Sequence, residues 1–236
     1  MPRIEVVTFD LDNTLWDIDE VIRTAERVTR AWFDSRVPEL NATLSSDDLL
    51  AIRKRIVVER PELAHNLSYL RQESFAQAII AVGRGDAEAR RLAAEAFQLF
   101  LAERHRVSYF DDALDILERL ARTHQLGALT NGNADIARLG LDRFFRFAFN
   151  AADVGAAKPA PAMFHAALAH NAIRAHQMIH VGDNPIDDIQ GASDVGIATI
   201  WVRLNAAALD GAPASRATRI VDRLKDIPDA VAQIEG

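Results

Sequence analysis

The 236-residue sequence predicts an α/β fold, a Rossmann-like parallel sheet core with an inserted helical, four-helix cap domain. Three observations predict it. Short apolar runs recur and each ends in polar residues; helical patterns alternate with the later runs, as in strand and helix units around a parallel sheet; and the stretch between the first two runs is helical throughout. A strand-to-strand crossover takes about 30 residues, yet Asp12 and Thr130 stand nearly 120 positions apart. Roughly 90 residues are surplus, which divides the chain into a core of residues 1–16 and 106–236 and a cap of residues 17–105.

The elements follow in order. Ile4-Glu5-Val6-Val7-Thr8-Phe9 reads as a short, mostly buried strand. In the insertion, Val21, Ala25, Val28 and Trp32 recur at spacings of four, three and four, marking one helix face. Ser46 before Asp47 and Asp48 is an N-cap signal, with Leu49, Ile52, Ile56 and Val57 behind it and Pro61 just past the end. Leu67, Leu70, Ser74, Phe75 and Ile79 trace a third helix, and Gly83-Arg84-Gly85-Asp86 breaks the chain before a fourth carrying Leu92, Ala96, Leu99 and Phe100. Leu126 to Leu129 is the next strand, and Phe144, Phe145, Phe147 and Phe149 read as core packing after it. Lys158-Pro159 follows a Gly/Ala loop and opens an amphipathic helix, with proline at or near the first helical position, where its missing N–H costs nothing. Met178 to Val181 is a strand, Ile197 to Val202 a fifth and Arg219-Ile220-Val221 a short sixth; a helix over Ile227 to Ile234 closes the chain. Ala206 to Ala208 and Gly211 to Ser215 read as a solvent loop.

The strand ends carry the chemistry. Asp10 and Asp12 sit two positions apart at the carboxyl end of the first strand, where open α/β sheets bind ligands. The second strand ends at Thr130-Asn131-Gly132-Asn133, Lys158 follows, and the next strand ends at Gly182-Asp183-Asn184-Pro185-Ile186-Asp187-Asp188. Each group alone fits a turn or cap; the ordered set of Asp with Asp, then Thr, then Lys, then Asp with Asp points to a site. Carboxylates converging on one cleft repel by roughly 4 kcal/mol per pair at 4 Å and an effective dielectric near 20. Something positive must sit among them, and oxygen-only ligands without Cys or spaced His favour a hard, hydrated cation, Mg²⁺ over Zn²⁺.

Phe9-Asp10-Leu11-Asp12-Asn13-Thr14-Leu15-Trp16-Asp17, the threonine of Leu129-Thr130-Asn131-Gly132-Asn133, the lysine of Ala157-Lys158-Pro159 and the Gly182 to Asp188 segment resemble the four motifs of the haloacid dehalogenase-like phosphohydrolases. The resemblance covers the whole chain, including the spacing of members whose helical cap lies between the first two motifs. The wording around Thr130, the phenylalanines and Lys158-Pro159 is most similar to flavin mononucleotide or ribityl-phosphate phosphatases. Asp10 is thereby implied as the nucleophile that forms an aspartyl-phosphate, and Asp12 as the acid that protonates the leaving alkoxide and then deprotonates water. The metal ligands implied are the side chains of Asp10 and Asp183 and the backbone carbonyl of Asp12; Asp187 or Asp188, with the sequence after it favouring Asp188, orients metal-bound water or Lys158. Thr130, Asn131 and the N–H groups of a following helix suit the phosphoryl oxygens, with Lys158 as the fixed positive charge. The family's dehalogenases lack the second acid, so Asp12 points to phosphate chemistry.

Composition sets the remaining expectations. About half the residues are hydrophobic and a quarter charged, as in ordinary globular proteins. A net charge of −7 argues against nucleic acid or an anionic membrane surface as partner, and zero cysteines remove disulfide and thiolate chemistry. Without a signal peptide or membrane-span pattern, a cytoplasmic enzyme of a small phosphorylated metabolite is the default; the sequence leaves the oligomeric state open. His180, inside a strand, reads as a packed core histidine, and His165 and His170 are five apart and share no helix face. His65, Tyr69 and Arg71, between cap helices, and Trp16, closing the first motif, are the candidates for reading the substrate. Two rivals stand beside a phosphatase: a phosphomutase, which would return the phosphoryl group to a sugar, and a signalling receiver, which would hold it for minutes. The long insertion and Asp12 both speak against the receiver.

Overall fold

The computed structural model describes residues 3–204 and 216–236; the segments read as a solvent loop, Ala206 to Ala208 and Gly211 to Ser215, lie outside the described residues. The chain divides into two compact units, one of residues up to Asp17 and from Ser108 onward, the other of Ile18–Val107. Strand β1, Val6–Phe9, is buried at all four residues.

The inserted unit is helical. It holds α1 (Ile18–Arg36), α2 (Pro38–Thr43), α3 (Ser46–Glu59), α4 (Leu67–Ala81) and α5 (Asp86–Arg104), with a 3₁₀ turn at Pro61–Leu63. Four long helices stand where the periodicities placed them, and the short α2, opened by Pro38, is one that the sequence pattern missed. Val21, Ala25, Thr29 and Phe33 recur every four residues on the buried face of α1. The cap of α3 is Ser45 and not Ser46: its hydroxyl accepts from Asp48 N at 3.2 Å while Asp48 Oδ2 accepts from Ser45 N at 2.7 Å, a reciprocal capping box. Phe33 meets Phe75 edge-on at 5.3 Å in a core shared with Ile79, Leu92, Ala96 and Phe100.

The other unit continues with α6 (Ala113–Ala121), β2 (Gln125–Thr130), β3 (Phe145–Asn150), α7 (Ala151–Val154), α8 (Ala162–Asn171), β4 (Met178–Gly182), α9 (Gly191–Asp194), β5 (Ala198–Val202), β6 (Arg219–Val221) and α10 (Ile227–Glu235). Together with β1 the strands make one six-stranded parallel sheet in the order β3-β2-β1-β4-β5-β6. The phenylalanine stretch is a strand as well as core: Phe145 and Phe147 are buried within β3. Gly127 of β2 is required there, since a Cβ would fall 2.1 Å from the Phe147 ring. Phe147, Met163, Phe164, Ala167 and Met178 fill one core layer. The helix expected at Lys158-Pro159 begins later: that peptide bond is cis, and α8 starts at Ala162. No helix among the described residues is long and apolar enough to cross a membrane.

The strand order reverses direction at β1. The chain adds β2 and β3 on one side of it and β4, β5 and β6 on the other, so the crevice beyond β1 and β4 is the topological switch point of the sheet.

Candidate active site

Register brings the acidic ends together. Phe9 pairs with Val181 across β1 and β4, and Asp10 N continues the ladder to Val181 O at 2.8 Å, so Asp10 and Asp183 leave adjacent strands side by side. Phe9 also pairs with Ala128, which carries Thr130 to the same edge. Asp10, Asp12, Asp183, Asp187 and Asp188 line a pocket of about 150 Å³ in which Lys158 is the one cation among the described residues.

Lys158 is the hub. Its ammonium donates to Asp10 Oδ1 at 2.8 Å, Asp188 Oδ1 at 2.6 Å and the Leu129 carbonyl at 2.6 Å, using all three protons. The lysine side chain is 1% exposed. Asn131 fixes its backbone: the amide oxygen accepts from Lys158 N at 2.7 Å and the amide nitrogen donates to Lys158 O at 3.0 Å and Asp187 Oδ2 at 3.3 Å. The Asn131 side chain, expected on the phosphoryl oxygens, is thus consumed in holding Lys158. Thr130 is buried, and its hydroxyl accepts from Gly132 N at 2.9 Å. The following helix expected to supply N–H groups is absent: residues 132–144 form turns, one of them held by Asp135 Oδ1 accepting from Ala137 N at 2.9 Å.

Asp188, and not Asp187, reaches Lys158. Its Oδ1 also lies 3.1 Å from His180 Nε2, and Oδ2 accepts from Asn184 N at 3.0 Å. These bonds require Gly182, because a Cβ there would lie 2.3 Å from Asp188 Cγ. His180 is the packed core histidine that the sequence predicts, edge-on to Phe164 and 2.9 Å from the Thr8 hydroxyl. Thr14, unremarked within the first motif, stands between two carboxylates, 3.1 Å from Asp183 Oδ1 and 3.5 Å from Asp10 Oδ2. Its only sequence signal was its place in the acidic loop.

The charges settle unevenly. Burial favours the neutral form of Asp10, and neighbouring carboxylates add to this; Lys158 opposes them, yet the pKa stays well above the ordinary range. Burial and Asp188 push Asp183 up to about 7. Burial alone would raise Asp188 too, but Lys158 and His180 overcome it and hold this carboxyl below the ordinary range. Burial would lower Lys158, and Asp10 with Asp188 raise it instead. Burial lowers His180, against the hydrogen bond to Asp188, which raises it.

Of the specificity candidates, Trp16 is fully buried and donates its indole N–H to Asp12 Oδ1 at 2.9 Å, so its ring is not available to a substrate. Tyr69 and Arg71 belong to the start of α4, which Asn66 caps, and not to a loop. Arg71 is turned into the helical unit, with Nη1 3.0 Å from Glu26 Oε1 and the guanidinium 3.8 Å from the Phe100 ring centroid. His65 lies half-buried in the turn before Asn66.

A divalent ion fits this donor set. Asp10, Asp183 and Asp188 each offer a carboxylate oxygen, all within 4.8 Å of one another. One ammonium against five carboxylates leaves Asp10 and Asp183 favouring protons, the balance that a hard dication corrects.

The haloacid dehalogenase-like hydrolase family matches residues 4–196, and the chain belongs to that family. Within it, the chain is a phosphatase-type hydrolase. It is 32% identical over 201 residues to the 5-amino-6-(5-phospho-D-ribitylamino)uracil phosphatase YigB of Escherichia coli (strain K12), covering 85% of this chain and 84% of that protein. It is 27% identical to the human N-acylneuraminate-9-phosphatase, over 87% of this chain and 85% of that one. A solved structure described as a 2-haloacid dehalogenase from Pseudomonas syringae pv. Tomato DC3000 superposes with a TM-score of 0.92 at 40% identity, covering 98% of this chain and 99% of that chain.

Proposed function

We propose that the protein is a Mg²⁺-dependent phosphatase that hydrolyses a small phosphate monoester through an aspartyl-phosphate on Asp10. The observation that carries this is one buried carboxylate at the switch point, gripped by Lys158, with a second acid two residues on. Asp10 attacks phosphorus as the bond to the leaving oxygen breaks, and Asp12 gives that oxygen its proton. Asp12 then takes a proton from water as the water oxygen attacks phosphorus and the acyl-phosphate bond breaks, returning Asp10. Lys158 holds Asp10 in line and balances charge on the phosphoryl oxygens, with Thr130 beside it. Asp10, Asp183 and the Asp12 carbonyl would hold the metal, with Asp188 supporting through Lys158. When bound, Mg²⁺ supplies charge neutralisation for the carboxylates and the phosphoryl group.

The likeness to YigB supports a ribityl or flavin-type phosphate as substrate, drawn from a cytoplasmic pool. Residues 17–105 serve as the specificity cap in this reading, with His65 and Tyr69 as its recognition groups. Asp12 favours phosphate over halide chemistry, because a departing halide needs no proton. The test is a panel of phosphorylated metabolites, among them flavin mononucleotide and ribityl phosphates, assayed with Mg²⁺ for phosphate release under multiple turnover and set beside chloride release from 2-chloropropionate. Acid-quenched enzyme should carry one phosphoryl group on Asp10 by mass spectrometry. Chloride release without phosphate release, or phosphoryl transfer to a sugar in place of water, would overturn the proposal.

A further inference from the structure

Residues 10–16 form a tight loop that closes on itself. Leu15 N donates to Leu11 O at 2.9 Å and Asn13 N to Trp16 O at 2.8 Å, with Asn13 at φ 62°, a left-handed turn that asparagine tolerates. The closure sets Asp12 and Trp16 side by side as an isolated bridge. The indole N–H then meets Asp12 Oδ1 at 2.9 Å. Trp16 itself is anchored: it is fully buried, bridged to Tyr109, and its ring meets the Tyr109 ring edge-on at 5.8 Å. Tyr109 in turn donates its hydroxyl to the Leu139 carbonyl at 2.9 Å, and Phe110 N donates to Leu15 O at 2.9 Å. The donor therefore sits on a mount fixed to two other segments of the same unit.

We infer that Trp16 is the positioning residue for the acid–base carboxylate, its indole N–H holding Asp12 in the one side-chain rotamer from which a proton can be delivered to the leaving oxygen. The inference rests on the reading of Asp12 as the acid–base. A general acid works only within hydrogen-bond reach of the atom it protonates, and an error of 1 Å in placement can cost about a hundredfold in rate. Asp12 follows the nucleophile on a loop, and a loop side chain unheld at its tip would spread over several rotamers. Indole suits the task because it is a donor only, bonds one carboxylate oxygen, and cannot exchange donor for acceptor as an amide or hydroxyl can.

The test compares phenyl phosphate with p-nitrophenyl phosphate, two probes of similar shape whose leaving groups differ in their need for a proton. Trp16 is replaced by 3-benzothienylalanine, where sulfur takes the place of the N–H and the ring outline is kept, and separately as Trp16→Phe. The isostere should lower kcat on phenyl phosphate ten- to a hundredfold, leave KM within about twofold, and lower kcat on p-nitrophenyl phosphate less than threefold. Placed in an Asp12→Asn background, it should add less than a twofold further loss, as expected of residues acting through one another. Equal losses on both probes, a full additional loss in the Asp12→Asn background, or unchanged kinetics would overturn the assignment; should Trp16→Phe fail to fold, the isostere alone decides. If Asp12→Asn itself keeps full activity on phenyl phosphate, the acid–base reading fails. If Asp12→Asn is inactive and the isostere is not impaired, only the role of Trp16 fails.

Discussion

Replacing Lys158 with methionine tests the electrostatic logic of the site most directly. The change keeps much of the side chain's length and apolar stem but removes the ammonium that Asp10 and Asp188 share in a pocket lined by five carboxylates. In the native protein that ammonium lies 2.8 Å from Asp10 and 2.6 Å from Asp188, and it also caps the Leu129 carbonyl, all in a side chain that is 1% exposed. Removing one partner of a buried ion pair costs about 3 to 5 kcal/mol, because the remaining charge stays buried without compensation. Asp188 is the charge stranded here, since burial already favours a proton on Asp10, and that range applies in metal-free buffer at pH 7.5. This is a large fraction of the roughly 5 to 15 kcal/mol that holds a typical domain folded.

The pH dependence has a definite sign. Asp188 lies below its ordinary pKa in the folded state, so its contribution is present above the unfolded value near 3.8 and is lost only as pH falls through the lower folded value. Lys158 lies above its ordinary pKa, so its contribution is present below the unfolded value near 10.5. Between these limits the Asp188–Lys158 pair stays charged. In Lys158→Met the stranded Asp188 can recover by taking up a proton, so the destabilisation should be largest near pH 8 and shrink toward pH 5. Urea unfolding followed by circular dichroism, with chelator and across that range, measures it. Adding Asp188→Asn should recover at least half of the lost stability, while phosphate release stays below about 1% of the native rate in both variants. A Lys158→Met protein within 1 kcal/mol of the native one at pH 7.5, or a double variant no more stable than the single, would refute the reasoning.

The sequence reveals this site unevenly, for reasons that lie in how each feature is encoded. Asp10, Thr130 and Asp183 end apolar runs, and a run's end is a local signal that parallel pairing turns into a shared edge. The helices of the insertion were likewise local, written in spacings of three and four along α1 and α4. What local pattern cannot encode is direction. Arg71 reads in sequence as a polar group between cap helices, yet its guanidinium turns inward to Glu26 and Phe100, a choice made by helices distant in sequence. Asn131 carries a substrate-binding type of side chain, but the Lys158 backbone, 27 residues on, claims both ends of its amide. The direction of Trp16 is likewise not written in its position: the Asn13 turn folds its ring back beside Asp12. Pro159 suits a first helical turn by composition, whereas α8 opens only at Ala162.

Four further outcomes are expected. In metal-free protein, Asp183 near pKa 7 binds its proton more tightly folded than unfolded, so stability should fall as pH rises from about 4 to 7, and Mg²⁺ affinity, read by thermal shift or calorimetry, should climb through the upper part of that window; Asp183→Asn should flatten both trends. Asp12→Asn should lower turnover of phenyl phosphate by about a hundred- to ten-thousandfold and that of p-nitrophenyl phosphate much less, with equal losses counting against the acid role. Arg71→Ala should cost the helical unit about 1 to 2 kcal/mol through the lost Glu26 pair and Phe100 stack, whereas Tyr69→Phe should leave stability unchanged and lower kcat/KM for the best metabolite about tenfold without affecting p-nitrophenyl phosphate. The last concerns Gly182, where the backbone would accept alanine but the space would not. An added Cβ would lie 2.3 Å from Asp188 Cγ and 2.4 Å from its Oδ2, well inside van der Waals contact, so Asp188 must swing away and release Lys158, His180 and Asn184 N together. Gly182→Ala should therefore lose as much activity as Asp188→Gly, and the double variant should be no worse than either, because Asp188→Gly removes all three atoms nearest the added Cβ, the Asp188 Cβ at 2.5 Å included. Additive losses would show that Gly182 acts on the site by a route other than Asp188.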